Sequence, residues 1–259
     1  MRALHERACV PLASAATQPQ AFYAGFRPVA IDGSNCEIPD EAANAAEFGY
    51  PGSRTGQAAY PQAQCAVLAE CATHAIIGAN VGAYRAAEWD LCVPLLARLT
   101  PAMLCLADRG FDGHARWKAA IDSGAQLLWR CRANRQLPVV KALDDGSYLS
   151  AIYPDAKSRP RRTGEITLRV IEYALPGVPD AQERYRLLTT LLDPVQAPAL
   201  ELVALYHERW EVEAVFDELK THLTQRRRTL RVGGGANVHE FGRFQNADGD
   251  GLAPEVHSG

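Results

Sequence analysis

The sequence predicts an α/β chain, on three observations. Two short apolar runs, one through Val29, Ala30 and Ile31 and one from Met103 to Ala107, read as strands that each end on an acidic residue, Asp32 and Asp108. The stretch LYHERWEVEAVFDELKTHL, residues 205–223, has the period of an amphipathic helix. Between these, residues 137–193 alternate apolar and polar side chains and carry turn residues, the texture of strands.

The elements follow in chain order. Residues 1–26 are expected to form a helical lead-in. The first apolar run then closes on Asp32-Gly33, which by itself is also ordinary turn chemistry. Residues 40–62, rich in Ala, Gly and Pro, predict a loop with a short helix, and 65–84 predict a strand pair. Trp89, Val93, Leu96 and Leu99 have helical spacing, although Pro94 weakens the first turn of that helix. After the strand that ends at Asp108, residues 113–121 predict a helix and 126–132 a strand. In residues 166–172, Ile166, Leu168 and Val170 alternate with Thr167, Arg169 and Ile171. Pro194 and Pro198 punctuate the chain before a helix that starts near Ala199. After Arg231 the text becomes Gly-rich and loses its apolar periodicity, so residues 232–259 are expected to be disordered.

Composition sets the bounds. A chain of 259 residues with a hydrophobic fraction of 47% can bury one sizeable core. The formal net charge of −3 gives no global attraction to nucleic acid, so any DNA contact must come from local patches. Two are present: Lys157, Arg159, Arg161 and Arg162, then Arg226, Arg227, Arg228 and Arg231. The seven cysteines are odd in number and show no Cys-x2-Cys pair, which points to reduced thiols in a cytoplasmic protein. No apolar run is long enough for a transmembrane helix.

The 205–223 helix carries the chemistry. With about 100° of rotation per residue, Leu205, Val212, Val215, Phe216, Leu219 and Leu223 share a core-facing stripe roughly 100° wide. Tyr206, Arg209, Glu213 and Lys220 fall within about 60° of each other beside it, and Trp210 lies beyond them. Ordinary pairing along a helix face would also place Glu, Arg and Lys at such spacing. Two strand-end carboxylates and one helix carboxylate, brought together, would repel each other unless divalent cations sat between them. Hard oxygen donors suit Mg²⁺ or Mn²⁺, and two such ions about 4 Å apart support in-line phosphoryl transfer.

The pattern Tyr-x2-Arg-x3-Glu-x6-Lys, with Trp210 directly after the Arg, resembles the signature of DDE transposases of the insertion sequence 4 family. AIDGS around Asp32, LADRGF around Asp108 and the β-rich stretch that follows occur in that family's order. The resemblance implies a ribonuclease H-like fold, a mixed five-stranded sheet with helices on both faces. It implies Asp32, Asp108 and Glu213 as the catalytic, metal-binding triad for two Mg²⁺ or Mn²⁺ ions. Tyr206, Arg209, Lys220 and Trp210 would contact DNA, and Arg109 would reach a phosphate or form a structural ion pair. The implied partners are double-stranded DNA at the terminal inverted repeats, target DNA and a second copy in a synaptic dimer. The implied division is a helical remnant at 1–26, a catalytic core at 27–135 and 196–231, a β-rich insertion at 136–195 and a disordered tail at 232–259. The short region before Asp32 and the tail after Arg231 depart from the family pattern and resemble a truncated, frameshifted copy. Two other readings stay open: another two-metal nuclease of the same fold, and a non-catalytic DNA-binding remnant.

Overall fold

The computed structural model describes residues 7–53, 56–132, 134–174, 184–218 and 220. Among them a nine-stranded mixed sheet runs in the order β5-β4-β1-β6-β7-β11-β10-β9-β8. Its strands are β1 (Arg27–Glu37), β4 (Gln62–Glu70), β5 (Ile76–Ala83), β6 (Met103–Ala107), β7 (Gln126–Arg130), β8 (Lys141–Ala142), β9 (Tyr148–Ile152), β10 (Ile166–Tyr173) and β11 (Tyr185–Thr189). A separate two-residue ladder joins β2 (Gly52–Ser53) to β3 (Gly56–Gln57). The helices are α1 (Ala42–Phe48), α2 (Glu88–Cys92), α3 (His114–Ile121), α4 (Ala199–His207) and α5 (Glu211–Asp217).

β1 organises the sheet. It pairs antiparallel with β4 and parallel with β6, and β6 pairs parallel with β7. Successive side chains of a strand point to opposite faces. Val29, Ile31, Cys105 and Ala107 enter one core with Cys92, Leu95, Trp117 and Trp129, beneath α2 and α3. Ala30, Leu104 and Leu106 enter the other, with Leu202, Leu205, Val212, Val215 and Phe216 of α4 and α5. Helices thus cover both faces, which explains why the central strands are continuous apolar runs and not alternating ones.

The β-rich stretch does not stand apart. β11 pairs with β7, β10 with β11 and β9 with β10, all antiparallel, so its strands lengthen the same sheet. The sheet is therefore wider than the five strands the resemblance implies. Arg169, fully buried in β10, ties this extension to α4. Its Nε donates to Ser147 Oγ at 2.7 Å, its Nη1 to the Ala197 carbonyl at 2.6 Å, and its Nη2 to Asp145 Oδ2. The same Asp145 oxygen accepts from the Ala199 amide at 2.9 Å, an otherwise unsatisfied donor at the start of α4.

Two expected helices are broken. After Cys92 the chain tightens into a 3-10 helix, Val93–Arg98, with Pro94 in its first turn; proline has no amide to continue an α-helix. The single helix expected over 205–223 begins at Ala199 and passes through a 3-10 turn, Glu208–Trp210, before α5. Of the expected helical lead-in, residues 1–6 lie outside the described residues, Arg7 and Ala8 are helical, and residues 9–26 hold a 3-10 turn at Pro19–Ala21 and no α-helix. Leu219, Leu223, the second basic patch and the tail lie outside the described residues. All seven cysteines are free and buried. Among the described residues no helix is long and apolar enough to cross a membrane.

Candidate active site

The β1/β6 register fixes the first pair of carboxylates. Arg27 faces Met103 and Ala30 faces Leu106. Continued two residues further, the same offset sets Asp32 opposite Asp108, the residue that follows β6. By strand parity Asp32 shares a face with Ala30, and Asp108 with Leu104 and Leu106: the face on which α4 and α5 pack. Each carboxyl is oriented by a nearby glycine amide. Gly33 N donates to Asp32 Oδ1 at 2.9 Å, and Gly110 N donates to Asp108 Oδ1 at 2.6 Å.

Glu213 arrives from α5, and Arg209 connects it to the strands. Arg209 Nη1 donates to Asp32 Oδ2 at 2.9 Å, and Nη2 donates to Glu213 Oε1 at 3.2 Å. Arg209 is 7% exposed, whereas the Glu213 side chain is 48% exposed. Burial opposes the charge of Arg209, but Tyr206, Asp32 and Glu213 outweigh it and raise the pKa of the guanidinium. Its Nε is buried with no partner. Burial pushes the Asp32 carboxyl above its ordinary range. The Gly33 amide and Arg209 work against that shift, and the charges of Asp108 and Glu213 add to it.

The other expected residues fall into distinct places. Tyr206 is buried, and its hydroxyl donates to the Ala107 carbonyl at 3.2 Å, so in this conformation it faces the end of β6 and not the surface. Lys220 Nζ donates to Ser34 Oγ at 2.5 Å, two residues along β1 from Asp32. Trp210 is 54% exposed with its ring 5.1 Å from the Arg209 guanidinium carbon. Arg109 is exposed and lines a cleft of about 440 Å³ with Asp108, Gly110, Arg132 and Asn134. The Lys157–Arg162 patch sits on exposed turns between β9 and β10.

Sequence reasoning missed one neighbour. Glu88, in the first turn of α2, lies against Gly33 and close to Asp32 and Asp108. Burial, then the charges of Asp32 and Asp108, push its carboxyl up to about 7. The available signal was weak: an acidic residue at the start of a helix, with Gly33 directly after the first Asp.

Carboxylates from two neighbouring strands, Asp32 and Asp108, and Glu213 from a helix thus act on one buried arginine. The chain belongs to the transposase DDE domain family, which it matches over residues 24–242. Among curated proteins it is similar to transposase InsG of insertion sequence element IS4 from Escherichia coli strain K12, at 27% identity over 218 residues. That alignment covers 82% of this chain and 48% of the relative, so the chain spans about half the length of the curated relative it matches. An endonuclease V structure from Bacillus subtilis aligns at 12% identity and a TM-score of 0.34, covering 79% of this chain and 84% of that one, a likeness too low to carry a conclusion.

Transposase DDE domains use divalent metal ions. The donor set fits such a cation in its chemistry: hard carboxylate oxygens, mutually repelling, each held by an adjacent amide. The spacing is that of a different charge balance. Among the described residues no three His, Cys, Asp or Glu side chains converge tightly enough to hold an ion, and Arg209 is the cation between Asp32 and Glu213.

Proposed function

We propose that this chain is the catalytic domain of a DNA transposase that cleaves phosphodiesters and transfers strands at transposon ends. The observation that carries the reading is the meeting of Asp32, opposite Asp108 in the parallel β1/β6 register, with Glu213 through Arg209, in a chain of the DDE family. Asp32, Asp108 and Glu213 would hold two Mg²⁺ or Mn²⁺ ions. When bound, the ions supply Lewis-acid stabilisation of the charge on the transferring phosphate. The protein's part is to present oxygen donors in fixed orientation, through Gly33 and Gly110, within β1 and at the end of β6.

The flanking residues suit a phosphate backbone. Arg209, Lys220 and Arg109 offer charge-assisted donors, Tyr206 offers a hydroxyl, and the exposed Trp210 ring can stack on an unpaired base. Arg209 reaches a phosphate only by leaving Asp32 or Glu213, so DNA and cation binding are coupled through it. The core is read as ribonuclease H-like, strands β5-β4-β1-β6-β7 with residues 196–231, and 136–195 as an insertion that extends its sheet; the carboxylates all belong to the core. The partners are inverted-repeat duplex, target DNA and a second copy of the chain in a synaptic dimer, in the cytoplasm.

Incubation of a labelled transposon-end duplex with Mg²⁺ tests the reading. Glu213→Gln keeps the side chain's size and removes one anionic donor, so cleavage is expected to fall by about 100-fold or more. Equal cleavage by the variant removes Glu213 from the site. The internal engagement of Arg209 favours a second reading, a DNA-binding remnant without catalysis. It is supported if the wild-type chain binds the duplex and never cuts it.

A further inference from the structure

The position of Glu88 is built into β1. An ideal Cβ on Gly33 would stand 2.6 Å from Glu88 Oε1 and 2.7 Å from its Cγ, closer than real side chains tolerate. The missing side chain at residue 33 is therefore the space that Glu88 occupies. α2 drives it there, because Cys92 at the end of that helix and Leu95 just beyond are anchored in the core beneath β1 and β4. In that space the Glu88 carboxyl packs on Gly33, whose amide orients Asp32 Oδ1, and the charges of Asp32 and Asp108 act on it at close range. Asp32 is thus bound by Arg209 from α5's side of the sheet and neighboured by Glu88 from α2's side.

We propose that Glu88 is a fourth acidic member of this site, a positioning residue that fixes the Asp32 carboxylate for a divalent cation, with Gly33 glycine in order to admit it. The inference rests on the reading of Asp32 and Asp108 as cation ligands. An outer carboxyl that orients a ligating carboxylate acts on cation affinity as well as on rate, since a ligand free to turn must be ordered on binding.

The test is Mn²⁺ binding by the full metal-free chain, followed by calorimetry and by the electron paramagnetic resonance signal of free Mn²⁺. Glu88→Ala and Gly33→Ala are each expected to weaken Mn²⁺ binding by about tenfold or more. Glu88→Gln, which keeps the length and a hydrogen-bonding head, is expected to recover part of the loss. If Gly33 serves only to admit Glu88, the double variant loses no more than either single one, so the effects are not additive. Folding of each variant is checked by circular dichroism, and Glu88→Gln, which requires no new space, keeps the test open if Gly33→Ala does not fold. Mn²⁺ affinity within twofold of wild type in both Glu88→Ala and Glu88→Gln overturns the proposal. Asp32→Asn and Asp108→Asn separate the levels: if they leave Mn²⁺ binding intact, or if the wild-type chain binds none, the underlying site assignment fails and not merely the role of Glu88.

Discussion

Two buried arginines hold the molecule in different ways. Arg169 is saturated: all three of its nitrogens donate, to Ser147, Ala197 and Asp145, and its side chain has no exposed surface. Arg209 is almost as deeply buried but keeps an orphan Nε, and one of its two partners, Glu213, is half exposed. A buried cation with every proton matched behaves as a structural bolt. A buried cation short of partners, between carboxylates that already crowd each other, is set to exchange them for something else. The first joins the outer strands to α4; the second lies between Asp32 and Glu213.

The sharpest way to break this contrast is at the saturated arginine. Asp145→Ala leaves Arg169 buried without its anion and strips the acceptor from the Ala199 amide. The expected cost is about 3–5 kcal/mol in urea unfolding, unaffected by divalent salt. A loss below about 1 kcal/mol would show that Arg169 is not a bolt. A smaller effect is expected at the other arginine. Arg209→Met should cost about 1–2 kcal/mol in the absence of metal, as Asp32 and Glu213 face each other without a counter-charge. Here Mn²⁺ should restore the melting temperature and raise it by more than in wild type. Equal Mn²⁺-induced shifts in the two proteins would mean that Arg209 does not stand in for a cation.

The smallest effect concerns pH. Burial and the charges of Asp32 and Asp108 push the folded Glu88 carboxyl up to about 7, from an ordinary value of 4.5. Between those values the folded chain binds more protons than the unfolded one, so stability contributed by the neutral carboxyl is present at acid pH and declines as pH rises toward 7. Unfolding midpoints of metal-free protein between pH 4.5 and 7 should show this decline. Glu88→Gln should flatten it, and an unchanged slope in that variant would assign the decline to other groups.

The parts of this architecture that follow from local pattern were legible in the sequence. The apolar runs before Asp32 and Asp108 specified two strands, although β1 continues past Asp32 to Glu37 and only Asp108 stands at a strand end, and the spacing of Leu205, Val212, Val215 and Phe216 specified the buried helix stripe. Pairing beyond the neighbouring strand was not legible. Nothing in the alternation of 166–172 tells whether β10 closes a separate sheet or adds to the existing one, since both bury the same side chains. Nor does a helical wheel reveal which way a long side chain turns. Arg209 was placed beside Glu213 toward solvent and DNA, yet the 3-10 turn at Glu208–Trp210 and the nearby Asp32 draw it inward. Glu88 escaped notice because its reason for being there is a missing Cβ on another strand, which no local period records.

The cysteines have a practical use that follows from where they lie. Cys92, Cys105 and Cys131 sit in the layer under α2 and α3, while Cys9, Cys36, Cys65 and Cys71 sit in the layer under α4 and α5. Burial pushes the thiols of Cys71, Cys92, Cys105 and Cys131 well above the ordinary range, so they are unreactive while the chain is folded. Each layer thereby carries its own silent chemical clock. A pulse of maleimide during partial denaturation, read by peptide mass, would time the opening of each side of the sheet separately, with no residue substituted.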